Sequence, residues 1–172
     1  MSNIQWISTS YLKQNTAIEN NVDDSLLTPY IVKAGDTHLQ SLLGETFYNH
    51  LVDAFTNGTE TSEETELKDK YIKPYIAELT YWMVFPHIRI KTTNKGVQKE
   101  SAEFSSSAEY KESLWLRDSI KNIVDLYEIR LEKELKMGYN SGKYPLAKKF
   151  CDDNPVKRNN VSRMGIYMGK NI

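Results

Sequence analysis

The chain has little of what marks enzymes and secreted proteins. It holds one cysteine, Cys151, in 172 residues, which excludes an intramolecular disulfide framework and a zinc site of several thiolates. No apolar run reaches the roughly 18 residues that would suggest a membrane-crossing helix. The opening MSNIQWISTSYLKQN lacks the charged-then-apolar pattern of a secretion signal. The sequons at Asn57 and Asn160 are therefore expected to be chance matches, and the chain to be soluble in a reducing cytoplasm. The eight glycines never fall in a dinucleotide or P-loop order, so no phosphate-cradling turn is expected.

Catalytic and metal motifs are equally scarce. His38, His50 and His87 show no metal-ligand spacing and no neighbouring pair of carboxylates on one face. His38 falls on the apolar face of its expected helix and reads as a core or interface histidine. Cys151 stands beside Asp152 and Asp153, whose charge discourages thiolate formation. Glu60, Glu63, Glu64 and Glu66 read as a solvated charge run rather than an acid/base couple. No catalytic, cofactor-binding or metal-binding residue is assigned; the expectation is a protein that is not an enzyme and takes no cofactor.

Aromatics and an uneven charge are what the chain does have. Eleven tyrosines and three tryptophans exceed what one small core easily hides, and such side chains are enriched at protein interfaces. The net charge is −1, so nothing global argues for nucleic acid. From Gly138 onward, however, seven basic residues stand against Asp152 and Asp153, leaving that part at +5 and the first 137 residues at −6. A basic end on an acidic body is the pattern of an interaction arm.

Periodicity supplies the helices. Residues 1–22 show no helical spacing and are expected to be an extended N-terminal arm. Asp23, Asp24, Ser25 and Thr28 are possible N-caps, and Pro29 is tolerable in a first turn. Leu27, Ile31, Ala34, His38 and Leu42 then mark one helix face, with an end at Gly44. Thr46 is expected to cap a short helix carrying Phe47, Leu51 and Phe55, and residues 56–66 to form an acidic loop. A third helix, apolar on most sides, runs from near Glu64 or Leu67 through Tyr75, Leu79, Trp82 and Met83, with a break near Tyr71 and a kink or restart at Pro86.

Residues 92–107 read as a loop or hairpin-like excursion. The longest helix, 108–137, carries a main stripe of Leu116, Ile120, Ile123, Tyr127, Leu131 and Leu135. A second stripe of Trp115, Leu126 and Ile129 needs a partner outside the core, and Gly138 is expected to cap the end. The expected organisation is an arm over 1–22, a helical domain over 23–137 and a basic arm over 138–172. The fold class is all-α, a small bundle of about four to five helices with extended N-terminal and C-terminal arms.

Four segments, in this order, carry a resemblance. They are YLKQNTAIENNVDDSLLTPYIVKA from Tyr11, the Leu-Leu-Gly corner LQSLLGETFYNHL from Leu39, the Tyr-x-x-Pro helix and Thr-Asn-Lys-Gly turn between Tyr71 and Val97, and LRDSIKNIVDLYEIRLEKEL from Leu116. Together they resemble the head-to-tail adaptor, or connector, proteins of tailed bacteriophages, of the crAss-like type. The C-terminal part departs most from that pattern. The resemblance implies a structural virion protein at the neck, assembled in the host cytoplasm. It implies a ring under the portal vertex with the portal's symmetry, roughly twelve-fold. Its partners would be the portal protein, further tail or stopper proteins, other copies of itself and, without base readout, packaged DNA in the channel; no membrane is implied. The expected interaction residues are Lys91, Asn94 and Lys95 in the turn, and Lys148, Lys149, Lys157, Arg158 and Arg163 in the tail. Size, charge and periodicity equally fit a helical adaptor or regulatory domain of a cellular complex.

Overall fold

The computed structural model describes residues 4–88, 90–93, 96–99 and 108–147, with side chains described through 88 and from 112 onward. Among these residues, five helices and one short hairpin form an all-α body. Helix α1 is Thr9–Asn15, α2 spans 24–43, α3 is Glu45–Asn57, α4 spans 62–88 and α5 is Ala108–Asn140. Strands β1 (Ile90–Thr93) and β2 (Gly96–Lys99) pair antiparallel between α4 and α5, with Ile90 opposite Lys99 and Thr93 opposite Gly96. The hairpin thus starts slightly before the excursion expected at Thr92.

Residues 1–22 are not simply an extended lead-in. Ser8 accepts the Tyr11 N–H at 3.0 Å and starts α1, while Trp6, Ile7, Leu12 and Ile18 are buried in the core. The apolar residues are spaced too irregularly for a periodicity argument, because each anchors a different bend. Lys13 joins Asp24 at 2.6 Å and Thr9 donates to the same carboxylate at 2.8 Å, tying α1 to the start of α2.

Two of the helices carry a π turn. In α2 it occupies Gly35–Leu39, where the Gln40 N–H reaches back to the Gly35 carbonyl. One extra residue in the turn shifts the apolar register. Leu39 consequently points inward and His38, expected on the apolar face, is exposed. In α4 the π turn is Lys68–Ile72. Pro74 cannot donate to the Lys70 carbonyl and its ring crowds the preceding turn, so the helix widens at the place where a break was expected. Pro86 causes no restart; α4 continues only to Ile88.

Glycine and a reciprocal cap set the corners. Gly44, at φ 81°, ends α2 and precedes α3, which begins at Glu45 with no side-chain cap from Thr46. The acidic loop is shorter than 56–66 because Thr61 and Glu64 start α4 together. Thr61 Oγ1 accepts the Glu64 N–H at 3.1 Å, and Glu64 Oε2 accepts the Thr61 N–H at 2.8 Å.

Helix α4 lies at the centre. Ile72, Tyr75, Ile76, Ala77, Leu79, Thr80, Val84 and Phe85 are all buried, and they point in every direction around the helix. Helices α1, α2 and α5 pack on it. At about 25 cal/mol per Å² of apolar area, this burial is the main source of stability. Trp6 closes the body at the far side of α2, with its ring centroid 5.7 Å from that of Tyr48 and 5.9 Å from that of Phe55.

Gly35 exists in this packing because a Cβ there would stand 2.7 Å from Cδ1 of Trp6. Gly35→Ala is expected to destabilise the fold by about 1–3 kcal/mol through overpacking, read as a lower midpoint in urea unfolding. Burial also raises the pKa of Glu78 on α4 above the ordinary value of 4.5. The folded state therefore holds that proton more tightly than the unfolded chain does. The associated stability is full below the ordinary carboxylate pKa and is lost as pH rises through the raised one. Glu78→Gln is accordingly expected to raise the melting temperature at pH 7, with the gain shrinking towards pH 4.

Candidate interaction surface

Helix α5 has one face on the core and another in water. Ile120, Val124, Leu131 and Leu135 are buried, and Leu116 and Tyr127 are partly buried. Near its N-terminal half, Arg117 Cζ stands 5.0 Å and Lys121 Nζ 5.7 Å from the Trp82 ring centroid, cation–π contacts that join α5 to α4. On the other side Trp115 is 68% exposed, Leu126 56%, Ile129 55% and Met137 55%. Ile123, assigned to the core stripe from sequence, is 41% exposed, and Val124 takes the inward position. Three- and four-residue steps leave that choice open, and the contact with α4 settles it.

The exposed face is long as well as apolar. From Trp115 to Met137 it runs about 33 Å at 1.5 Å per residue. Single exposed apolar residues need no explanation, but a cluster such as Ile123, Leu126 and Ile129, with Trp115 and Met137 further along the same face, marks a binding surface or an aggregation hazard. Lys121 pairs with Asp125 beside the strip, and Asn122, Arg130 and Lys133 are exposed polar residues along it.

Beyond α5 the chain hooks back onto the body. Gly138 does not cap the helix, which continues to Asn140. It is buried instead, because a Cβ there would collide with the Tyr144 ring. Gly142 turns the chain at φ 78°, and the N–H groups of Lys143 and Tyr144 both donate to the Gly138 carbonyl. Tyr144 lies buried, 5.9 Å from Phe47 between centroids, and its hydroxyl donates to the Glu63 carbonyl at 3.3 Å. Burial pushes the Tyr144 phenol up from its ordinary value, against the lowering effect of Lys143. Lys143 reaches Glu66 at 3.3 Å and Glu134 at 3.4 Å. The packed unit therefore extends to Ala147, past the expected boundary at 137, and Lys143 belongs to the body.

The acidic run is also more structured than its sequence suggests. Lys68 bonds Glu60 at 2.5 Å, Lys70 bonds Glu66 at 2.6 Å, and His50 Nε2 meets Glu64 Oε1 at 2.6 Å. Burial pushes the Glu64 carboxyl up, but the Thr61 N–H and the His50 contact outweigh it and hold its pKa below the ordinary value. Phe47 stacks on the imidazole at 6.3 Å. The pair orients a histidine as catalytic dyads do, yet Glu64 is committed to the capping box and the imidazole to an aromatic face. Its role here is to clamp α3 to the start of α4. Thr61-x-x-Glu64 was the sequence signal that could have shown this; the histidine fourteen residues upstream gave none.

No group of three His, Cys, Asp or Glu side chains suited to a metal occurs among the described residues. Two surface depressions of about 240 Å³ are open to solvent; one is lined by Thr9, Lys13 and Asp24 among others, the other by Trp6, Tyr11 and Lys73. Of the expected interaction residues, Lys91 sits in β1 opposite Gln98. Asn94, Lys95, Lys148, Lys149, Lys157, Arg158 and Arg163 lie outside the described residues.

Fold and surface together define a small helical domain whose most distinctive described feature is a set of exposed apolar residues along α5. Residues 39–152 match a family of unknown function, DUF6712, and the chain belongs to that family. The match takes in the last residues of α2, from Leu39, then α3, the central helix, α5 and the hook. No curated protein and no solved structure matches the chain.

The hook yields a direct expectation. Tyr144→Ala removes a buried ring from Phe47 and Gly138, and about 3–5 kcal/mol of stability should be lost, the usual cost of truncating a buried aromatic. Amide hydrogen exchange should accelerate most around Phe47, Glu63 and the last turn of α5.

Proposed function

We propose that this protein is a structural virion subunit, a head-to-tail connector that joins the portal vertex of a tailed phage to its tail and extends the DNA channel. The uncovered face of α5 is the observation that carries the reading. A body with a complete core still leaves Trp115, Leu126, Ile129 and Met137 to water, and apolar surface of that extent is stabilised by association. In a ring it is covered by a neighbouring subunit or by the portal.

Three further features support the same reading. The order of elements follows the connector pattern: a Leu-Leu-Gly corner at Gly44, a central helix containing Pro74, a turn, and a long last helix. In this reading the hairpin between α4 and α5, which carries Lys91, would meet a neighbour or the channel, and Asn94 and Lys95, which follow in sequence, would take part in the same contact. An acidic body beside passing DNA favours sparse, non-specific phosphate contacts over tight binding. The basic residues Lys148, Lys149, Lys157, Arg158 and Arg163 would serve the portal, the tail or a neighbouring copy.

The test is reconstitution. The full chain, mixed with a portal protein encoded in the same genome, should form rings stacked on the portal in negative-stain images. Failure to bind assembled portal, with the chain folded by circular dichroism, would sink the connector reading.

A further inference from the structure

The exposed face of α5 is too small to hold a separate molecule by itself. A strip about 33 Å long on a helix about 10 Å across offers roughly 300 Å², against about 800 Å² per partner in a standard interface. A separate molecule must also give up its translational and rotational freedom to bind. A segment of the same chain has already given up most of it, because a tether holds it near the face at an effective concentration of about millimolar. The face therefore suits an occupant that is covalently attached.

One segment of the chain has the matching chemistry. In residues 164–172, MGIYMGKNI, the apolar side chains Met164, Ile166, Met168 and Ile172 fall at every second place, interrupted by Lys170. That is the period of an extended segment with one apolar face, and Gly165 and Gly169 between them disfavour a helix. Other stretches outside the described residues offer less. Residues 1–3 are too few, and 100–107 hold one large apolar side chain, Phe104.

We propose that residues 164–172 lie along the exposed face of α5 of their own chain, with Met168 over Leu126. The lengths agree: eight extended steps cover about 26 Å, most of the way from Trp115 to Met137. Met168 is the midpoint of the one stretch and Leu126 of the other. Methionine, unbranched and adaptable, fills the irregular gaps between side chains such as Ile123, Leu126 and Ile129. A cover one strand wide also leaves its backbone N–H and C=O groups open to water, so no sheet is needed to satisfy them.

Reach and charge permit the same contact. The hook sets Tyr144 against Gly138, next to Met137 at one end of the strip, and the sixteen residues 148–163 can extend up to about 50 Å. Residues 148–172 carry six cations against Asp152 and Asp153, while Glu112 and Asp118 are exposed beside the Trp115 half of the strip. The contact is reversible, because its area is small, and it yields to a partner that covers more surface. It keeps the apolar face covered while the chain is free. It stands on α5 and residues 164–172, not on the connector reading.

The test uses the full chain with Cys151→Ser as background. With Leu126→Cys and Met168→Cys together, mild oxidation at micromolar protein should close a disulfide within most chains. With Thr37→Cys, exposed on α2, in place of Leu126→Cys it should close few. Leu126→Cys alone should react with a maleimide about tenfold faster once residues 164–172 are removed, because the covered fraction is lost. Tryptophan emission should move to longer wavelength in the same truncated chain as Trp115 is uncovered, with helicity unchanged. The proposal is overturned if removing residues 164–172 changes neither the reaction rate nor the emission. It is equally overturned if the Leu126–Met168 disulfides join different chains, since the segment then serves a neighbour. Portal binding can succeed or fail in any of these cases, so the two readings are separable.

Discussion

A helix that is apolar on every side cannot border water, so the stretch from Ile72 to Phe85 imposes its needs on the rest of the chain. Helix α2 covers one side, α5 another and α1 a third. The residues before α2 are drawn into the body for the same reason, with Trp6, Ile7 and Leu12 filling space that α2 and α4 leave open. The π turns belong to the same constraint. Each adds a residue where regular winding would present the wrong side chain, and in α2 this gives the inward position to Leu39 instead of His38.

What could be read from the sequence was whatever repeats locally. The run around Tyr75 and Leu79 announced a buried central helix, and the two apolar sets of α5 announced one face for the core and one for something else. That division survives in the structure, except that Ile123 is exposed and Val124, in neither set, takes the inward position. What could not be read depends on partners distant in the chain. Tyr144 meets Phe47 and Glu63, and His50 meets Glu64; neither contact leaves a periodic trace. Gly138 shows the difficulty well. A glycine after a long helix ordinarily suggests a cap, and only the position of the Tyr144 ring shows why this one lacks a Cβ.

The charge asymmetry needs a more local account after the structure. Lys143, counted with the basic end, lies between Glu66 and Glu134 within the packed body. Lys68 and Lys70 likewise answer members of the acidic run. Part of what looks like segregation of charge along the chain is thus pairing across the fold. Ion pairs at or near the surface contribute little to stability. Their larger effect is to fix where the hook and the start of α4 sit relative to each other.

The hook also determines how the body would carry mechanical load. Gly142 turns the chain back after α5, and Tyr144 and Ala147 anchor it beside Glu63 at the start of α4. Tension applied to residues beyond Ala147 would not peel α5 from its free end. It would pass through the Tyr144 anchor into the central helix, the best-supported element of the fold. A domain pulled from that end is strongest when force enters in this way, through the core and not along a surface helix.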